Sequence, residues 1–444
     1  MKIIDYEALP LTFQEAILLT AGLGYSYVWI DTLRVVQDDK MDGSRESAKM
    51  ADIYRRAILT LSATMAPNAC EGCGILAPVS PAKQFHIVPN RPETKALTVS
   101  LRANKLPLKT ARHMWRDAPI EKCAWTLRER LLSRRIVHMD GAQFRWQCTT
   151  HTEMEDGIEG TSYAMVNDFS WRPLESHQVV YRDDGAYPQH LLRARWWDWM
   201  HNYTRRSLSY PSESYAALAG VTRLFQEISR DEPIVGLWRR DLLVHLLWSI
   251  KAPTDIPYAE RQPSWTWMTF PHAIQKGVLN ADVLRWGPIS DHKAAPAIKI
   301  VYIATVLSTN VSWTGEPLIS QPSKQCIITL QSKTFNFQLP LDDIDARHSR
   351  DGSYRLHLDP DIQDPGPGND DFDSIMMVAF RYRCFVQKVD DSYDWQYDWR
   401  ERHLVIRRNP GCDTWRRIGR LETTLTKDPT DRWNSRPTAE IKLA

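Results

Sequence analysis

Over the first sixty residues, apolar side chains recur with two different periods, and the order of the two predicts helix, strand, helix, strand. Phe13, Ala16, Ile17 and Thr20 fall on one helical face, opened by Thr12 and Glu15 at capping-box spacing and stopped at Gly22 or Gly24. Tyr27-Val28-Trp29-Ile30 is a short continuous apolar run, the pattern of a strand covered on both faces, and it ends in Asp31. A second helix is expected from about Asp42 or Ser44 to Ala57, with Met50, Ile53, Tyr54 and Ala57 in one stripe. Glu46 lies one turn ahead of Met50 and points to the same side. Ile58 to Ala63 reads as another buried strand. A strand–helix–strand unit crosses over right-handed into a parallel sheet whose ligand sites lie beyond the strand C-termini, and Glu46 starts the helix leaving that edge.

Residues 64 to 122 are rich in turn-forming and basic residues and predict no definite element. Cys123 to Arg135 reads as a helix. From Ala186 to Ile250 the pattern is helical again, with Trp196, Trp199, Leu218, Val221, Leu224 and Leu246 as expected core. From about Ala297 the period becomes two, and Val301–Val306, Cys326–Leu330, Phe335–Leu339 and Met376–Phe385 read as antiparallel strands, with a loop over Asp361–Asp373. No internal repeat is present. The expected organisation is an α/β domain over 1–150, a helical middle region over 186–290 and a β-rich region over 291–444.

Composition narrows the function classes. The 444 residues, 43% hydrophobic and 25% charged, are enough for two or three folded units, and 18 Trp and 16 Tyr supply large apolar areas. A formal net charge of +2 argues against a dedicated nucleic-acid footprint. Seven irregularly placed cysteines do not look like a disulfide framework, and no stretch approaches the roughly 20 apolar residues of a membrane span. The N-terminus lacks the apolar run of a signal peptide, so a cytoplasmic protein is expected.

Three separated stretches resemble the fungal heterokaryon-incompatibility (HET) domain family. The first runs from Leu9-Pro10-Leu11 through Trp29-Ile30-Asp31 and Gln37-Asp38-Asp39 to Arg45-Glu46…Met50…Ile53-Tyr54. The second is Trp125-Thr126-Leu127-Arg128-Glu129-Arg130, similar to the family's closing Trp-Thr-Leu-Gln-Glu-Arg motif. The third is Ala216–Gly220, Gly236-Leu237-Trp238 and Pro263–Trp267, similar to segments that usually follow the domain. Two features depart from the family. Nothing corresponds to its opening Leu-Ser-Tyr-x-Trp-Gly strand, and Arg34 stands where the family usually has Cys. The resemblance therefore implies an N-terminally truncated domain, a TIR-like parallel sheet with its first strand missing, either through a late-starting gene model or through decay.

HET domains resemble TIR domains, some of which cleave NAD at the nicotinamide glycosidic bond. That resemblance implies a catalytic role for Glu46, whose carboxylate would stabilise oxocarbenium character, and a ribose-positioning role for Asp31. No resident cofactor is implied; NAD enters as a candidate substrate. Plainer readings stand beside these. Glu46 favours the helix dipole, and Asp31 can cap the following turn. Tyr54 reads as core with its hydroxyl at the surface, Trp29 as part of a buried strand, and Glu129 as the partner of a neighbouring cation. Arg128, Arg130, Arg134 and Arg135 read as a solvated face. Cys70-x-x-Cys73 has metal or redox spacing but no second ligand pair.

The function expected from the resemblance is non-self recognition signalling in fungal innate immunity, ending in programmed cell death. Its partners would be proteins: a second copy of the chain or an NLR-type receptor. The alternative is a catalytically inactive HET paralogue acting only as an interaction module.

Overall fold

The structure is a computed structural model that describes residues 4–34, 49–75, 83–87, 97–101, 118–139, 144–148, 152–155, 189–208, 210–250, 263–269, 274–275, 299–337, 354–358, 372–387, 393–425 and 429–444. The chain forms two compact units, Met1–Val179 and Val180–Ala444.

The first unit opens with a helix over Leu11–Gly22 that carries no side-chain cap bond at its N-terminus. The expected capping box is not formed, because Glu15 has a better use for its carboxylate. It is buried and accepts the backbone N–H of Cys73 in a distant loop. That loop passes so close that a Cβ at Gly72, where φ is +76°, would stand 2.9 Å from Glu15 Oε2. Thr12 anchors the same loop through its own N–H, 3.0 Å from the Ala69 carbonyl.

Tyr27–Ile30 is not a strand, contrary to its apolar pattern: it forms no ladder, and Tyr27 is 93% exposed. Asp31 then opens a short helix, Asp31–Arg34, and a longer one covers 49–56. Strand β1 (Thr60–Ser62) forms within the Ile58–Ala63 run, while β2 (Lys83–Ile87) and β3 (Leu97–Leu101) form a separate hairpin. A helix over Trp125–Leu132 follows, within the expected 123–135. It leads into β4 (Arg135–Met139), β5 (Phe144–Cys148) and β6 (Thr152–Met154).

The sheet order is β1-β4-β5-β6. The parallel pair is β1 with β4, not β1 with Tyr27–Ile30, and the other two pairings are antiparallel. The reason lies in the ladder: β1 is an edge strand, and no described residue offers donors and acceptors along its outer side. An apolar run contributes side chains to a core without pairing only if they find neighbours, and here Trp29 does so.

In the second unit, helices over Gln189–Tyr203 and Ser214–Ser229 carry Trp196, Leu218 and Val221 into the core, while Trp199 and Leu224 remain half-buried. Strands β7 (Pro233–Ile234) and β8 (Leu237–Trp238) form a tight hairpin whose Gly236 carbonyl accepts from both Trp196 Nε1 (3.2 Å) and Trp267 Nε1 (3.0 Å). Two further short strands, β9 (Ser249–Ile250) and β10 (Ile274–Gln275), pair with each other.

The C-terminal part is an eight-stranded sheet of β11 (Lys299–Tyr302), β12 (Thr305–Asn310), β13 (Ile327–Phe337), β14 (Tyr354–Leu358), β15 (Phe372–Gln387), β16 (Tyr393–Arg408), β17 (Trp415–Leu425) and β18 (Thr438–Leu443). The described parts of the runs Cys326–Leu330 and Phe335–Leu339 fall in the single strand β13, Ile327–Phe337, apart from Cys326, which precedes it. Gly419 is required where β14 crosses β17, since a Cβ there would lie 2.4 Å from the His357 carbonyl. Asp361–Asp373 lies almost wholly outside the described residues. No described helix is long and apolar enough to cross a membrane.

Candidate functional site

The helix over 49–56 and the Trp125–Leu132 helix meet in the first unit, and their polar groups meet with them. Tyr54 is turned inward and its hydroxyl donates to the Glu129 carboxylate. The Trp29 ring packs edge-on against Tyr54 at 5.7 Å. Arg128 Nη2 donates to Met50 Sδ at 2.8 Å, and its guanidinium lies 4.7 Å over the Trp125 ring. Asp31 completes the group: its charge acts on both Tyr54 and Arg128.

Two expectations change here. Arg128 is 1% exposed, so it is no part of a solvated face, although Arg134 and Arg135 are. Helical spacing carries the signal that would have found it, since Ala124, Arg128, Leu131 and Leu132 share one stripe. Tyr54 is half-buried rather than core, and its hydroxyl is engaged by Glu129. Burial, then Glu129 and Asp31, push its phenol far above the ordinary tyrosine range, so it remains a proton donor at any physiological pH. Burial pulls the Arg128 pKa down while Glu129, Tyr54 and Asp31 oppose that shift.

A small cleft of about 50 Å³ opens beside this group, lined by Tyr54, Ser62, Glu121, Glu129, Arg130 and His138 among others. Arg130 and Glu121 form an ion pair at 2.7 Å on its wall. Ser62 and His138 face each other in register near the C-terminal ends of β1 and β4, the edge of a parallel pair where ligands bind. His138 is buried, and burial first, then Arg145 and Arg130, drive its pKa well below that of a free histidine. A neutral imidazole has one donor and one acceptor. Nε2 donates to Gln147 Oε1 at 3.0 Å, so Nδ1 accepts from Thr64 Oγ1 at 3.2 Å, and the Ser62 hydroxyl adjoins Thr64 at 3.1 Å. The wall thus offers fixed donors and acceptors of defined polarity.

Of the residues singled out in the sequence, Asp31 belongs to this group, and its Oδ1 also accepts the Thr32 N–H at 2.7 Å, which caps its short helix. Glu46 lies outside the described residues. Sequence reasoning missed Glu129, Tyr54 and His138 as site residues. Cys70 is exposed and Cys73 buried; burial and the adjacent Glu15 push the Cys73 thiol up to about 12, which leaves it protonated and unreactive near neutrality. Among the described residues, no group of three metal-ligating side chains converges.

Residues 2–129 match the family described as Heterokaryon incompatibility protein (HET). No curated protein and no solved structure matches the chain.

Proposed function

We propose that this heterokaryon-incompatibility (HET) domain protein, so assigned through residues 2–129, is a non-self recognition effector whose N-terminal unit delivers a signal for programmed cell death. One observation carries the reading. The two motifs that mark the family in this sequence, 71 or more residues apart, come together in a single polar group at the edge of the parallel pair, where Met50 and Tyr54 touch Arg128 and Glu129. Residues used only to stabilise a helix would not need each other across that separation.

The enzymatic form of this proposal assigns NAD cleavage to the unit. Glu46 would stabilise the developing oxocarbenium ion, and Asp31 would hold a ribose hydroxyl. The TIR-like character of the fold and the choice of NAD are part of the proposal. The helical and β-rich regions would regulate or scaffold the signal, through self-association or a receptor of the NLR type.

A second reading is favoured by the size of the cleft. About 50 Å³ holds a few waters, far below the roughly 300–1,000 Å³ of ordinary ligand pockets. A domain that signals by contact needs no larger space. Expression in a fungal host, with viability and cellular NAD followed for the wild type and Glu46→Ala, separates the two. Death with NAD loss that Glu46→Ala abolishes supports the enzyme. Death without NAD loss supports signalling by contact, and the absence of any effect contradicts the effector proposal itself.

A further inference from the structure

Arg400, Arg402 and Arg420 share one face of the C-terminal sheet, and Arg417 follows beyond a β-bulge in the same strand pair. In register, Arg402 of β16 stands opposite Glu422 of β17, Leu404 opposite Arg420, and Ile406 opposite Arg417, with Arg400 two residues before Arg402. Residues opposite each other, and residues two apart, lie on the same face of a sheet. Three of the four have visible commitments. Arg417 donates to the Leu246 and Trp248 carbonyls and stacks 3.5 Å over the Trp248 ring. Arg402 pairs with Glu422 at 2.6 Å, and Arg400 reaches the same carboxylate at 3.6 Å.

Arg420 is 7% exposed, and its Nε, like those of Arg400 and Arg402, is buried without a hydrogen-bond partner. Among the described residues the charge that attracts it is Glu422, already held by Arg402, while Arg417 repels it. Burial pulls its pKa down to about 10 and that of Arg402 down to about 9. A buried guanidinium that lacks an acceptor is strongly disfavoured unless an anion offsets it. The sequence tolerates Arg420 here, beside Leu404, where an apolar residue would pack without that penalty.

We propose that this arginine face is an anion-binding site that takes a phosphate group, with Arg420 as its principal ligand and Arg402 and Arg400 alongside. Phosphate suits the place better than a monoanion, because its two charges answer more than one guanidinium and its oxygens match their forked N–H geometry. Arg400, whose side chain is 36% exposed, provides the approach from solvent. The site is independent of the N-terminal reading.

Calorimetric titration of the full chain tests it, with inorganic phosphate, adenosine monophosphate and acetate compared at constant ionic strength. Saturable one-site binding of phosphate is expected, weakened at least tenfold in Arg420→Gln and a few-fold in Arg400→Gln, and unchanged in Arg134→Gln. Adenosine monophosphate binding tenfold tighter than phosphate identifies a nucleotide as the source of the group; equal affinity identifies free phosphate. The proposal is overturned if phosphate gives no saturable heat, if acetate binds equally well, or if Arg420→Gln keeps wild-type affinity. Should Arg420→Gln fail to fold, Arg400→Gln decides, and unchanged affinity in that variant overturns the site.

Discussion

Glu401 in the C-terminal sheet and Glu129 on the Trp125 helix are both surrounded by donors, but Glu401 is fully buried while Glu129 borders a cleft. Glu401 is 0% exposed and its oxygens are fully occupied: Trp433 Nε1 and Thr423 Oγ1 donate at 2.7 Å each, and His403 Nε2 lies at 3.2 Å. Burial alone would raise its pKa, but these partners hold it down to about 2. It joins β16, β17 and the short helix Thr430–Asn434. Around Glu129 the corresponding groups line a space. The lesson is that burial of charge does not by itself mark function. A closed network fixes a fold, and an open one leaves polar atoms facing somewhere a substrate or partner can stand.

This contrast can be broken by mutation. Glu401→Leu strands three donors, of which those of Trp433 and His403 are buried, and removing one partner of such a network costs about 3–5 kcal/mol, so the second unit should unfold at markedly lower denaturant. An unchanged midpoint in chemical denaturation would mean the network is not structural.

Acid should act next, and differently on the two units. Glu401 is depressed from 4.5 to about 2, so its contribution is full above pH 4.5 and is lost as pH falls towards 2, about 3 kcal/mol in all. His138 is neutral in the fold and charged when unfolded near its ordinary pKa of 6.5. Its contribution is therefore present above pH 6.5 and declines below it, at no more than about 1.4 kcal/mol per pH unit. Hydrogen exchange between pH 7 and 3 should show the first unit loosening before the second. The reverse order would contradict both assignments.

Tyr54→Phe sharpens the contrast at the smallest scale. Losing one hydrogen bond should cost about 1 kcal/mol of stability, measured by thermal melting, whereas Arg134→Gln, at an exposed position just past the Trp125–Leu132 helix, should stay within about 0.5 kcal/mol.

Much of the fold was legible where side-chain period and burial agree. The helices around Trp196 and Leu218 and the strands near Val301 and Met376 follow from apolar spacing alone. Strands β16 and β17 did not, because Glu401, Arg402, His403 and Arg417 point inward and erase the alternation that strand prediction reads. Tyr27–Ile30 misled in the opposite sense: apolar content suits a strand, but a strand also needs a neighbour to pair with. The site was half legible. The resemblance picked out Asp31 and the Tyr54 and Glu129 motifs as segments, while the pairing of Tyr54 with Glu129 is a long-range contact that no local spacing encodes. Arg128 was readable from its stripe and was obscured by its charge.

The most direct test is viability of a fungal host expressing Glu129→Gln, with folding of the variant confirmed by its melting temperature. Gln keeps an acceptor for the Tyr54 hydroxyl and removes the charge. The account predicts a folded protein that no longer kills. A folded Glu129→Gln protein that kills as well as the wild type would contradict the assignment of this group as the functional site.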